Sequence, residues 1–216
     1  MNSRAGKEPL YPTRSSAGAT LGGLIYQRIT APACVWAVAP SGVEIAAAAA
    51  DGIKCRFDVV VGSHVRIDDD IVGALAEDAD AVIDSAFSPK FSMLDAIEEA
   101  IDRSRRAIKQ ERLLFRGQRP LRDVADTTVV ILDGHVVNPW KLIAATHVAK
   151  AMNAKHIIVA AAAATHAVQE RILARRLDFV CPSILMDPKG HELPFGDPQD
   201  PNAERLRSIV VARQAA

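Results

Sequence analysis

The sequence predicts an α/β fold in which a central parallel sheet is flanked by helices and carries a small cap. Three observations predict it. Apolar runs without polar alternation recur, as in CVWAVA (34–39), TTVVIL (127–132) and KHIIVAAAAA (155–164); strands that read this way are buried on both faces. Helical segments alternate with these runs, giving the strand–helix–strand order of a parallel sheet. The 216 residues, 49% hydrophobic and 24% charged, are enough for a full hydrophobic core.

The elements follow in order. Residues 1–25 are polar, carry Gly, Pro and Ser, and read as an N-terminal arm, with Leu21, Leu24 and Ile25 offering a short helix that packs back. Residues 26–216 read as one domain, with 63–91 and 183–216 as cap elements. After the strand CVWAVA, PSG is a turn, VEIAAAAAD (43–51) a helix, and KCRFDVVVG (54–62) a strand beyond the break at Gly52. IVGALA (71–76) and AVIDSA (81–86) read as short strands joined near Glu77 and Asp78. FSMLDAIEEAIDRSRRAIKQER (91–112) is the clearest helix, with Leu94, Ile97, Ile101 and Ile108 on one face. Glu99–Arg103 and Asp102–Arg106 pair along its outside, and Ser92 followed by Asp95 resembles a capping box. TTVVIL leads into the helix PWKLIAATHVAKAMN (139–153), and KHIIVAAAAA into THAVQERILAR (165–175). LDFVCP (177–182) is the last strand, and the Pro/Gly/Asp-rich tail ends in a short element around Leu206–Val211.

Composition narrows the partners. With 26 basic and 26 acidic residues the formal net charge is zero, so no basic face announces a nucleic acid. The alanine runs at 46–50 and 160–164 are too short to cross a bilayer. Cys34, Cys55 and Cys181 share no CxxC spacing and read as free thiols in a reducing compartment. The expected location is cytoplasmic.

The informative stretch is VVILDGHVVNPWKLIAA (129–145), a buried strand running through a turn into a helix. Ligands of open parallel sheets bind where strand ends meet helix N-termini, whose free amides and dipole favour anions. Asp133 and Gly134 follow the strand directly, Asn138 is a good N-cap and Pro139 suits the first helical position. Two readings stand: a strand-end turn feeding a capped helix, or a ligand-binding loop.

On these residues the chain resembles the type I phosphoribosyltransferases. In particular it is similar to the bacterial phosphoribosyltransferase-like proteins whose central strand feeds a V-D-D-G-x-A-T-G-x-T loop. The resemblance runs from about residue 35 to 182, through VWAVAPSGVEIAAAAADG (35–52), VGALAED (72–78), ERLLFRGQRPLRD (111–123), VVILDGHVVNPWKLIAA and HIIVAAAAATHAVQERI (156–172). It implies a type I phosphoribosyltransferase-like fold with a small hood. It also implies a site where paired acids hold the ribose hydroxyls of phosphoribosyl pyrophosphate. In such a site the loop threonines and glycine wrap the 5′-phosphate, and Mg²⁺ coordinates ribose and pyrophosphate oxygens.

Carried over, the first acid falls on Leu132, the second on Asp133 and the glycine on Gly134. The T-G-x-T segment falls on Val137, Asn138, Pro139 and Trp140. The pyrophosphate loop P-R-G-G-V falls on Ala39, Pro40, Ser41, Gly42 and Val43, and a following Arg-Lys pair on Val60 and Val61. Hydrogen bonds to charged groups contribute roughly 1.5–3 kcal/mol each. Losing two hydroxyls, a flexible glycine and a guanidinium removes on the order of 5 kcal/mol, more than a thousandfold in affinity.

The remnant ligand site is therefore Ser41, Gly42, Asp133, Gly134, Asn138 and Lys141, with Asp133 and His135 as the candidate catalytic pair. The expectation is a phosphoribosyltransferase-like scaffold or interaction protein, a pseudoenzyme paired with itself as a homodimer or with an active paralogue. FRGQRP and the helix before it would serve as interface or hood. The alternatives are a pentosyltransferase with an atypical site, needing Mg²⁺, or a nucleotide or small-ligand binder or hydrolase built on Asp133 and His135. His64, His166 and His191 are candidates to join Asp133 in a metal or acid–base cluster, His147 and His156 poorer ones. Asp68, Asp69 and Asp70 read as a solvated turn that could hold a divalent ion.

Overall fold

Both faces of the central sheet are buried, as the unbroken apolar runs require. The computed structural model describes residues 8–29, 32–87, 93–186, 194–196 and 201–214. In chain order the elements begin with α1 (Arg14–Tyr26), β1 (Ala33–Val38), α2 (Val43–Ile53) and β2 (Arg56–Val60). Then come β3 (Gly62–Ile67), β4 (Asp70–Ala76), β5 (Val82–Ile83) and α3 (Leu94–Arg116). The second half holds β6 (Thr128–Val136), α4 (Trp140–Ala151), β7 (His156–Thr165), α5 (His166–Leu173), β8 (Asp178–Val180), β9 (Ser183–Leu185) and α6 (Ala203–Gln214).

The main sheet runs β2-β1-β6-β7-β8, all parallel, with β9 pairing β7 beyond β8. Alternate side chains go to opposite faces. Val35, Ala37, Val59, Val130, Leu132 and Ile158 join the core with α1, α2 and α6, while Trp36, Val38, Val60, Ile131 and Val159 join the core with α4. A separate antiparallel sheet, β3-β4-β5, packs against α3 and α4.

Several elements differ from the sequence reading. The short helix offered around Leu21, Leu24 and Ile25 is longer than read, spanning Arg14–Tyr26 under a Thr13–Ser16 capping box. It lies so close to α2 that a Cβ on Gly18 would stand 2.3 Å from the Ile45 carbonyl oxygen. The strand β3 was hidden by its polar residues; GSHVRI is only partly buried and turns at Asp68, whose φ is 52°. The capping role of Ser92 lies outside the described residues, and α3 begins at Leu94 after Met93. That helix also runs on to Arg116 and stops at Gly117, where a φ of 60° favours glycine. Among the described residues no helix is long and apolar enough to cross a membrane.

The FRGQRP segment is partly drawn into the fold, with Gln118 and Pro120 left exposed. Phe115 and Arg116 are buried, and the Arg116 guanidinium donates to the buried Glu77 carboxylate, with side-chain exposures of 1% and 2%. Arg119 clasps the fully buried Asp58 through both guanidinium Nη atoms at 2.5 and 3.0 Å, and the Arg122 N–H adds a third donor at 2.8 Å. Glu77 also takes the Val61 N–H at 2.7 Å. Burial pushes the Glu77 carboxyl up despite Arg116 and that N–H, and it pushes the Arg116 guanidinium down. Removing one partner of such a pair strands a buried charge. Arg116→Met should therefore cost about 3–5 kcal/mol in urea denaturation, and the double variant Glu77→Gln/Arg116→Met should recover part of that loss. A double variant no more stable than the single one would show that the pair is not the seat of the effect.

Candidate functional site

The strand-end crevice forms where β1 and β6 deliver their last residues towards the starts of α2 and α4. Ala39-Pro40-Ser41-Gly42 links β1 to α2 through a cis Ala39–Pro40 peptide. Gly42 is dictated by close approach, since a Cβ there would stand 2.4 Å from the Leu132 carbonyl oxygen and 2.8 Å from that of Val38. A Cβ on Gly134 would in turn crowd Ile45 Cδ1 and the Ser41 carbonyl oxygen, both at 3.1 Å. Across this contact the Ser41 hydroxyl donates to Asp133 Oδ1 at 2.5 Å, and the Gly134 N–H donates to the same oxygen at 2.7 Å. Asp133 is 5% exposed. Ser41, Gly42, Asp133 and Gly134 thus do come together.

Asp133 and Gly134 do not lie beyond the strand, however. β6 continues to Val136, with Asp133, His135 and Val136 in register with Ala161, Ala163 and Ala164 of β7. The turn shrinks to residues 137–139. Helix α4 starts at Trp140 with Pro139 as its N-cap residue, one position later than expected, and the Asn138 side chain caps it by accepting the Trp140 N–H at 3.1 Å. The Trp140 side chain turns into the core, 1% exposed, with the guanidinium carbons of Arg171 and Arg175 5.5 and 4.8 Å from its ring centroid. Such cation–π contacts strengthen when shielded from water. A crevice of about 220 Å³ remains between Asn138, Trp140, Ile71 and α5, where Arg171 bonds Asp84 at 2.5 Å.

Lys141 leaves α4 on the other side. Its stem lies 3.6 Å from where a Gly62 Cβ would stand, and its ammonium donates to the Ala39 carbonyl oxygen at 3.5 Å. It therefore sits beside the loop from β1 to α2. Burial pushes the Glu111 carboxyl up, while Lys141 opposes that shift. Burial, followed by the charges of Lys141 and Arg66, brings His64 down to about 4. The proximity of α3, β3 and α4 behind this group had no local signal in sequence, so Glu111 was not anticipated. Nor were Arg171 and Arg175 over the indole.

The candidate histidines are dispersed among the described residues. Among the described residues no three His, Cys, Asp or Glu side chains gather as a metal ion would need. His166 is exposed and lies 3.5 Å from its own helix's Glu170. His156 lies 3.8 Å from Asp178, His147 is carried on α4, and His191 is outside the described residues. The turn of Asp68, Asp69 and Asp70 is exposed. The three cysteines are free, and burial pushes Cys34 up to about 12 and Cys55 and Cys181 to about 11, so none is a ready thiolate.

No family model and no curated protein matches this chain. Solved structures do. The protein TT1426 from Thermus thermophilus is similar over 94% of this chain and 98% of its own, with a TM-score of 0.76 and 23% identity. A purine phosphoribosyltransferase from Pyrococcus horikoshii covers 88% and 91%, with a TM-score of 0.51 and 15% identity. The fold is type I phosphoribosyltransferase-like. A hypothetical protein from Neisseria gonorrhoeae with bound ppGpp is similar over 92% of both chains, with a TM-score of 0.50 and 7% identity.

Two outcomes test this geometry. Trp140→Thr, which removes the indole at the start of α4, should lower the unfolding free energy by about 3–5 kcal/mol through lost burial. A loss below about 1 kcal/mol would mean that the indole is not anchored by the core. His64 titrates lower in the folded chain than in the unfolded one. Its contribution is therefore present above about pH 6.5 and is lost as pH falls towards about 4. His64→Leu should narrow the gap between urea midpoints measured at about pH 7 and about pH 5; an unchanged gap would assign that acid sensitivity to other groups.

Proposed function

We propose that this chain keeps the phosphoribosyltransferase scaffold without carrying out ordinary phosphoribosyl transfer. It acts instead through protein contacts, as a homodimer or with an active paralogue. The observation that carries this reading is the start of α4. Where a phosphate-wrapping loop would offer free amides and hydroxyls, β6 runs on as a paired strand, Asn138 occupies the Trp140 amide, and the indole is packed under two arginines. The remaining carboxylate, Asp133, already accepts from Ser41 and Gly134. Of the two acids that would hold a ribose diol, Leu132 replaces one, and it is wholly buried. Exposed Leu113 and Leu114 on α3 and exposed Val137 supply apolar contact surface of the kind protein partners cover.

A second reading has its own support. Lys141 brings an ammonium to the Ala39 carbonyl beside Ser41 and Asp133, so a cation stands near the former pyrophosphate loop. On that reading the chain is a transferase with an atypical site, or a nucleotide binder or hydrolase using Asp133 and His135. The described residues fit Mg²⁺ poorly, since Asp133 Oδ1 already takes two donors.

Calorimetric titration with phosphoribosyl pyrophosphate and Mg²⁺, run beside Asp133→Asn and with ppGpp and nucleoside monophosphates as further probes, separates the two. The expected result is no binding that depends on Asp133, any heat being the same in wild type and in Asp133→Asn. Micromolar binding that disappears in Asp133→Asn would overturn the first reading and establish the second. Sedimentation of the pure chain then tests the homodimer.

A further inference from the structure

A second concave site lies at the opposite end of β2 from the strand-end crevice. It is a cavity of about 300 Å³ lined by Asp51, Lys54, Cys55, Arg56, Arg122 and Arg213, with Ala50 and Phe57 as its apolar floor. Four separate elements build it: the C-terminal end of α2, the first residues of β2, the segment after α3, and α6. Its size is at the lower end of small-molecule sites.

Charge is what distinguishes it. Four cationic side chains face one carboxylate in a chain whose formal net charge is zero. That carboxylate, Asp51, is bonded to Arg213. Among the described residues Arg56 donates to neutral oxygens, the Asp123 carbonyl at 3.1 Å and the Thr127 hydroxyl at 3.3 Å. The neighbouring acids do not offset it. The Asp123 carboxylate turns to the Ala125 N–H, and Asp58 is held by Arg119 and the Arg122 N–H. Burial pushes the Cys55 thiol up to about 11, so it adds no negative charge. The Arg213 guanidinium is steadied 6.0 Å from the Phe57 ring centroid, which leaves its fork directed by packing as well as by Asp51. Planar guanidinium forks match phosphate oxygens two at a time, and the ammonium of Lys54 adds a point charge at the rim.

We propose that this cavity binds a small multivalent oxyanion of the pyrophosphate or sugar-phosphate class, independently of the strand-end crevice. Within it Arg56 and Lys54 supply the charge that no described carboxylate neutralises, and Arg122 and Arg213 complete the cradle. Because α6 contributes Arg213, an occupied site also fastens that helix to α2 and β2.

The test is calorimetric titration with sodium pyrophosphate at low ionic strength, without Mg²⁺, on the wild type, on Lys54→Gln/Arg56→Gln and on Lys141→Ala. Circular dichroism would check that each variant folds. The expected result is binding that weakens with added salt. It should fall by about tenfold or more in the double variant, equivalent to about 1.4 kcal/mol, and stay unchanged in Lys141→Ala. Absence of binding at millimolar pyrophosphate, or equal affinity in the double variant, would overturn the proposal. Loss of binding in Lys141→Ala alone would overturn it too, by placing the anion in the strand-end crevice and favouring the second functional reading. A measurement on the wild type alone guards against a misfolded variant. Pyrophosphate should slow acetylation of Lys54 several-fold relative to Lys141, and equal rates with and without it would overturn the site.

Discussion

Glu77 and Arg116 meet in a space that water does not reach, between the end of β4 and the last turn of α3. Neither charge is tolerable there alone, because the interior cannot replace the hydration each has lost. The pair therefore fixes where α3 ends. Three residues further on, Arg119 seizes Asp58 on the edge strand β2, and the chain is led back to begin β6 in the centre of the sheet. Glu77 simultaneously holds the first residue after β2 through the Val61 N–H. Helix, hairpin and edge strand are joined at one point. The arrangement is more specific than it is stabilising: Arg116 Nε and Nη1 find no acceptor among the described residues, and each such buried donor carries a cost.

The residues gathered at the strand end are largely those that packing requires. Gly42 and Gly134 are kept where a side chain would collide with neighbouring backbone or with Ile45, and Ser41 and Asp133 bond to each other across the same contact. Their presence follows from the loop after β1 touching β6, whether or not a ligand ever lies against them. Beyond that contact Val137 is exposed, and Trp140 lies in the core under two guanidinium groups.

Sequence carried the α/β architecture well because unbroken apolar runs have few other homes. CVWAVA, TTVVIL and HIIVAAAAA became neighbouring strands, and the helices between them began within a few residues of the expected positions. It failed where the deciding contact was remote. GSHVRI mixes glycine, serine, histidine and arginine, and becomes a strand only because β4 folds against it. The short helix offered near Leu21 grows to Arg14–Tyr26, and its small residues matter because α2 passes so near. FRGQRP resembles surface by composition, yet its arginines are drawn inward by carboxylates that stand 39 and 61 residues away in the chain. Asp133 and Ser41 were legible as a pair of candidates, but their direct bond was not, and neither was the length of β6. Periodicity shows where a strand can begin more readily than where its partner lets it stop.

The extra length of β6 also bears on how freely the segment before α4 can move. Three residue pairs beyond Leu132, those of Asp133, His135 and Val136 with β7, commit main-chain groups to the ladder. Threonines placed at positions 137 and 140 would add side-chain hydroxyls but would not release those groups. A flexible loop there would need the ladder unzipped and the indole's place in the core refilled. The extended strand thus acts as a brace: point substitutions in the turn leave its backbone where β7 holds it.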